Sequence, residues 1–145
     1  MKDSIVVPVG LENLAFISEF LQEKSCSVHI TSRKMWELLL AMDEICSQIM
    51  QFMTDDSSDE KIKLTWEYKP EFIVIKIETF GFAFNPLEIN GNNYNAEKEE
   101  ESLGGMGLYL VKQMVDEISY SRKDEKNILV VKKLLKSKKN KNNKH

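Results

Sequence analysis

The sequence predicts a two-layer α/β sandwich of the α+β class. Three observations predict it. Ile62 to Tyr68 and Phe72 to Ile77 both alternate in the two-residue period of a strand, and they flank the turn-forming Lys69-Pro70-Glu71. Ser32 to Met53 places apolar residues at helical spacing over six turns. The chain has 145 residues, 42% of them hydrophobic and 30% charged, which suits one domain with its own core and excludes wholesale disorder. Helices interleaved with mostly antiparallel strands then pack as one layer on the other.

The elements follow in order. Ser4 to Val9 reads as a short strand. Leu11 to Gln22 fits a helix through Leu11, Leu14, Ala15, Ile17, Phe20 and Leu21. Val28 to Ile30 is a short extended piece or a loop. Thr31 or Ser32 caps the long helix, because a hydroxyl there accepts from a free N–H of the first turn. That helix has a core stripe of Met35, Leu39, Met42, Cys46, Ile49 and Met53, with Glu37, Glu44, Gln48 and Gln51 opposite. Asp55 to Ser58 is a polar turn. The two central strands form an antiparallel pair. Phe84 to Ser102 is polar, acidic and irregular, and reads as a mobile loop. Met106 to Val115 is a helix preceded by glycines, and Ile118 to Arg122 and Asn127 to Leu134 close the fold as strands. Residues 1–134 form the domain, and 135–145 a basic, disordered tail.

Charge and cysteine content narrow the function classes. Net charge is −3, but residues 132–145 hold seven lysines and no acid, leaving a body of about −10. An acidic body argues against nucleic acid as a direct ligand, since phosphate contacts need clustered cations. No apolar run reaches the ~18 residues of a membrane helix and no signal peptide is evident, so no membrane is expected. Two cysteines, Cys26 and Cys46, suggest neither a disulfide framework nor a zinc site, and the expected location is the cytoplasm. Both cysteines read as small buried hydrophobes, the methionines as core filler and His29 as a loop residue.

One local motif carries chemistry. Leu103-Gly104-Gly105-Met106-Gly107-Leu108 lies at a loop-to-helix junction. Glycine allows close backbone approach, and a helix N-terminus offers free N–H groups and a positive dipole end, so phosphate is the natural ligand. The spacing differs from a P-loop, and no lysine follows. A turn or a tight packing site explains the glycines equally well. The polar side of the long helix likewise reads as a face toward water.

The segments "AMDEICSQIMQF" (41–52) and "ESLGGMGLYLVKQMVDEISY" (101–120) together resemble the anti-sigma-factor serine/threonine kinases of the GHKL, or histidine-kinase-like ATPase, superfamily. The order of long helix, strand pair, "FGFAFNP", loop, glycine box and closing strand also fits. The resemblance covers about residues 4 to 134, and the glycine box is its most specific part. It implies a Bergerat-type fold, with helices on one face of a mixed, mostly antiparallel sheet, and ATP or ADP held between the layers with magnesium. It also implies a bacterial transcription regulator that forms a homodimer. Its protein partner would be a sigma factor, an anti-sigma-factor antagonist that it phosphorylates on serine, or both.

Residue roles follow from the same resemblance. Glu44 matches the proposed general base. Gln48 stands where the family has a magnesium-binding asparagine, one methylene longer, and magnesium is exacting about geometry. Thr79 stands where the family has an aspartate that accepts from the adenine amino group, and Gly81 matches the glycine that follows it. Gly104, Gly105, Met106, Gly107 and Leu108 form the phosphate cradle. The stretch Glu125 to Ile128 lacks the glycine and threonine the family sets beside adenine. Losing one charged hydrogen bond costs about 1.5–3 kcal/mol, about ten- to a hundredfold in affinity. Two functions are compatible with this pattern: an ATP-dependent protein kinase, and a non-catalytic domain that regulates by binding a protein.

Overall fold

The computed structural model describes residues 1–53, 60–81, 83, 85–87 and 103–136, of which 103–108 by their backbone alone. Strand β1 is Lys2–Pro8. A 3-10 turn, Leu11–Asn13, leads into α1, Leu14–Cys26. Helix α2 is Ser32–Met53, and β2, Lys61–Lys69, turns back into β3, Phe72–Phe80. Helix α3, Leu103–Met114, precedes β4, Glu117–Lys123, and β5, Lys126–Leu134. The strands form one five-stranded sheet in the order β1-β2-β3-β5-β4, antiparallel at each pairing.

Strand alternation decides which side chains reach the helices. Ile73, Ile75 and Ile77 of β3 share a face with Ile62, Leu64 and Trp66 of β2 and with Leu129 and Val131 of β5, and all are buried. Helix α2 lays Leu38, Met42, Ile45, Cys46, Ile49 and Met50 into the same core. It is flanked by α1 and α3, both of which pack along it. Burial therefore spreads beyond the expected stripe: Leu38, Ala41, Ile45 and Met50 are buried too, while Met35 and Leu39 are only half-buried. Thr31 caps α2 as expected, its hydroxyl oxygen accepting the Lys34 N–H at 3.2 Å.

Several elements differ from the reading of the sequence. β1 begins at Lys2, because Lys2 and Asp3 pair with Glu67 and Trp66, which an apolar pattern cannot reveal. α1 continues to Cys26, its polar end held by the ion pair between Lys24 and Asp3. β3 runs three residues further, since Glu78, Thr79 and Phe80 keep ladder partners in β5. Val28 to Ile30 has no regular structure, which is the loop alternative of the two readings. Cys26 is exposed, contrary to expectation, because α1 buries Ile17, Leu21 and Ser25 and the next residue turns 100° away.

The glycine cluster lies inside α3 and not before it, since α3 begins at Leu103. Glycine costs a helix about 1 kcal/mol relative to alanine, a penalty and not a prohibition. Leu135 remains attached to the fold: its N–H donates to the Glu71 carbonyl at 2.9 Å and its side chain packs on the core. The expected polar turn at Asp55 to Ser58, most of the acidic loop and residues 137–145 of the basic tail lie outside the described residues.

Candidate functional site

The expected site residues fall into three groups. The first lies on α2. Glu44 and Gln48 are one turn apart and half-buried, and the Gln48 amide Nε2 donates to Glu44 Oε1 at 3.2 Å. Helical spacing sets them on the same flank as Glu37. That flank faces α3, because the Lys133 ammonium donates both to Glu37 Oε1, at 2.9 Å, and to the carbonyl of Met114, the last residue of α3. The polar side of α2 is therefore not simply a water-facing surface. Both Glu44 and Gln48 present hard oxygen atoms of the kind magnesium takes, so this pair fits the ion that the family type carries.

The second group is the glycine turn. Gly104, Gly105, Met106, Gly107 and Leu108 occupy the N-terminal half of α3. The first four N–H groups of a helix have no intrahelical acceptor, and they carry its positive dipole end. Glycine at two of those four positions leaves the backbone open to an approaching anion.

The third group sits at the end of the sheet. Thr79 is buried on the helix-facing side of β3 and pairs across the ladder with Asn127 of β5. Asn127 is a hub that the sequence reading missed. Its Oδ1 accepts from the Tyr120 hydroxyl at 2.6 Å and from Arg122 Nη1 at 3.1 Å. A guanidinium only donates, so the atom it meets must be the amide oxygen. The amide nitrogen then faces Thr79, donating to Oγ1 at 3.5 Å. Arg122 Nη2 donates in turn to the Gly81 carbonyl at 2.7 Å. This network joins Thr79 to Gly81. Gly81 has φ 122°, a conformation that penalises any side chain. A hollow of about 430 Å³ opens here, lined by Phe80, Gly81, Ala83, Arg122 and Glu125.

Within the stretch Glu125 to Ile128, Ile128 lies on the face of the sheet away from Thr79. It pairs with Glu78 across the ladder and shares the opposite face of the sheet, so Asn127 is the β5 residue beside Thr79. Period-two alternation through Asn127, Leu129 and Val131 was a signal that could have found it. Glu78 points away from Thr79, on the opposite face of β3, and pairs with Lys126 at 3.3 Å. Cys46 is fully buried, and burial, then the charge of Asp43, pushes its thiol up to about 12. It is an inert core atom and has no part in the site.

A family model described as a histidine kinase-like ATPase domain matches residues 7–133. The chain belongs to that family. Among solved structures it is similar to the Acinetobacter baumannii histidine kinase AdeS, at 12% identity and a TM-score of 0.49, over 92% of this chain and 68% of that one. No curated protein matches it. The α+β architecture is that of the histidine kinase-like ATPases, a type of domain that implies nucleotide binding. Among the described residues, no helix is long and apolar enough to cross a membrane.

Proposed function

We propose that this member of the histidine kinase-like ATPase family binds ATP or ADP with magnesium and regulates a protein partner, a sigma factor or its antagonist. The observation that carries the reading is the packing of α3, with its glycine-rich first turns, along the flank of α2 that holds Glu44 and Gln48. The N–H groups of the glycine turn would bind phosphate oxygens. The Gln48 carbonyl oxygen would ligate magnesium, and the ion would neutralise the charge of the transferring phosphoryl group. Glu44 would take the proton of an attacking serine hydroxyl. Thr79 would meet the base, and Gly81 would let the chain pass close to it.

A non-catalytic regulator is the second reading. It is favoured by the neutral Thr79–Asn127 pair where a carboxylate would anchor adenine, and by the hydrogen bond that already engages Glu44.

Calorimetric titration of ATP and ADP, with and without magnesium, tests both. The control is Gly105→Asp, which sets a carboxylate among the phosphate-binding N–H groups. An acid at a helix N-terminus does not disfavour folding. Magnesium-dependent micromolar binding that the variant loses supports the nucleotide site. No heat at millimolar nucleotide sinks it and leaves the second reading.

A further inference from the structure

Among the described residues, α1, α2 and α3 pack on one face of the sheet, and the other face has an unusual charge balance. Its strand residues include eight lysines and three glutamates, whereas the chain as a whole is acidic, with net charge −3. The three glutamates are already engaged. Glu67 pairs with Lys69 at 3.5 Å, Glu117 with Lys132 at 3.6 Å, and Glu78 with Lys126 at 3.3 Å and Lys76 at 3.9 Å. Among the described residues, Lys61, Lys63 and Lys123 at one end of this face, like Lys2 at the other, have no carboxylate within ion-pair distance.

Lys61, Lys63 and Lys123 lie together. The ladder sets Lys61 opposite Pro8, Lys63 opposite Val6 and Glu78, and Lys123 opposite Lys126, which is itself opposite Phe80. They therefore occupy the end of the open face that also carries Val6 and Phe80, which are 55% and 58% exposed. From Lys61 across to Lys123 is three interstrand steps, about 14 Å, the length of roughly four extended residues. Two large apolar side chains framed by unpaired cations form an amphiphilic patch. The acids Asp124 and Glu125 bound it at the β4–β5 turn.

We infer that this end of the sheet docks an acidic polypeptide segment that also carries apolar side chains. Carboxylates would complement the three unpaired lysines, while apolar groups would cover Val6 and Phe80. Nucleic acid fits less well. The face holds no arginine, the residue suited to bidentate phosphate contact, and Phe80 and Phe72 lie under lysine ammonium groups, at 5.6 and 4.2 Å from the ring centres, and are not free to stack on bases. A second copy through the same face would set like charges against each other. The inference does not depend on nucleotide binding.

The test titrates the full chain, without nucleotide, into a fluorescein-labelled peptide of three Glu-Glu-Phe-Leu repeats and reads anisotropy. Parallel titrations use a Lys-Lys-Phe-Leu peptide, a single-stranded DNA oligonucleotide and phosphatidylserine vesicles. The acidic peptide should bind and the lysine peptide should not. The triple variant Lys61→Glu, Lys63→Glu, Lys123→Glu should weaken binding about tenfold or more, summing three modest ion pairs. Phe80→Ser should weaken it separately, which keeps the test decisive if the triple variant fails to fold. Equal binding by wild type and both variants, or absence of binding, overturns the inference. DNA or vesicles bound more tightly than the acidic peptide would overturn it in favour of those partners.

Discussion

Thr79 offers a neutral hydroxyl at the end of β3, held by the Asn127 amide. Because Arg122 fixes the orientation of that amide, Thr79 Oγ1 acts as an acceptor toward Asn127, and its remaining capacity is weaker than that of a carboxylate. Thr79→Asp should restore a charged acceptor, with Asn127 Nδ2 already poised to donate to it. ATP binding measured by calorimetry should tighten about tenfold, the difference between a charged and a neutral hydrogen bond. Unchanged affinity in a folded variant would remove Thr79 from the base contact. Gly81 and Asn127 show why single residues at this end were only partly legible. The glycine stands out in sequence, whereas an asparagine at a strand start looks like a turn residue until β4 brings Tyr120 and Arg122 onto it.

Between elements, Lys133 is the fastening. It is buried, and it joins β5 to Glu37 of α2 and to the C-terminal carbonyl of α3, where a cation also suits the helix dipole. The hydrogen bond from Lys133 holds the Glu37 carboxyl below its ordinary value, with the charges of Lys133 and Arg33 acting in the same sense against the cost of burial. A carboxyl whose pKa is lower in the folded state stabilises above its unfolded pKa, and loses that contribution as pH falls through the folded value. Glu37→Gln should therefore destabilise the protein by about 1–3 kcal/mol at pH 7. In urea unfolding series, the gap to wild type should shrink as pH drops below the carboxylate range of about 4. A gap independent of pH would show that Glu37 acts by packing. The β4–β5 hairpin is the other junction worth noting. Asp124 and Glu125 both take positive φ, the signature of a two-residue type I′ turn, although neither is glycine or asparagine. The carbonyl of Glu125 accepts the Gly81 N–H at 3.4 Å, so the turn also borders the hollow.

At the scale of the molecule, the described helices pack on one side of the sheet and divide it into two energetic regimes. Ile75 is buried at the centre of β3, while Val130, on β5 next to it, is half-buried on the open face. Ile75→Ala should cost about 2–5 kcal/mol, the transfer term plus a cavity that α2 and the sheet cannot collapse. Val130→Ala should cost under about 1.5 kcal/mol, because its side chain is half-buried and, among the described residues, faces no second layer. Comparable losses in chemical denaturation would mean that the open face is covered in solution. That same open face supplies the lysine-framed patch, and its charge balance contrasts with the acidic remainder of the chain.

Periodicity determined the strand pair β2–β3, the long helix, the closing strands and the α+β class, because helix and strand periods are written in consecutive residues; hydroxyl chemistry left Thr31 or Ser32 as the cap. The glycine cluster was legible as local composition, and Glu44 and Gln48 were singled out through the family resemblance. Tertiary structure decided what depends on partners distant in the chain. It drew Glu78, Thr79 and Phe80 into β3 and ran the glycines into α3. It turned Glu37 from a solvent-facing acid into the partner of Lys133, and set Asn127 beside Thr79. The physical reason is that hydropathy records burial, whereas hydrogen bonds between polar residues 40 to 100 positions apart leave no local period.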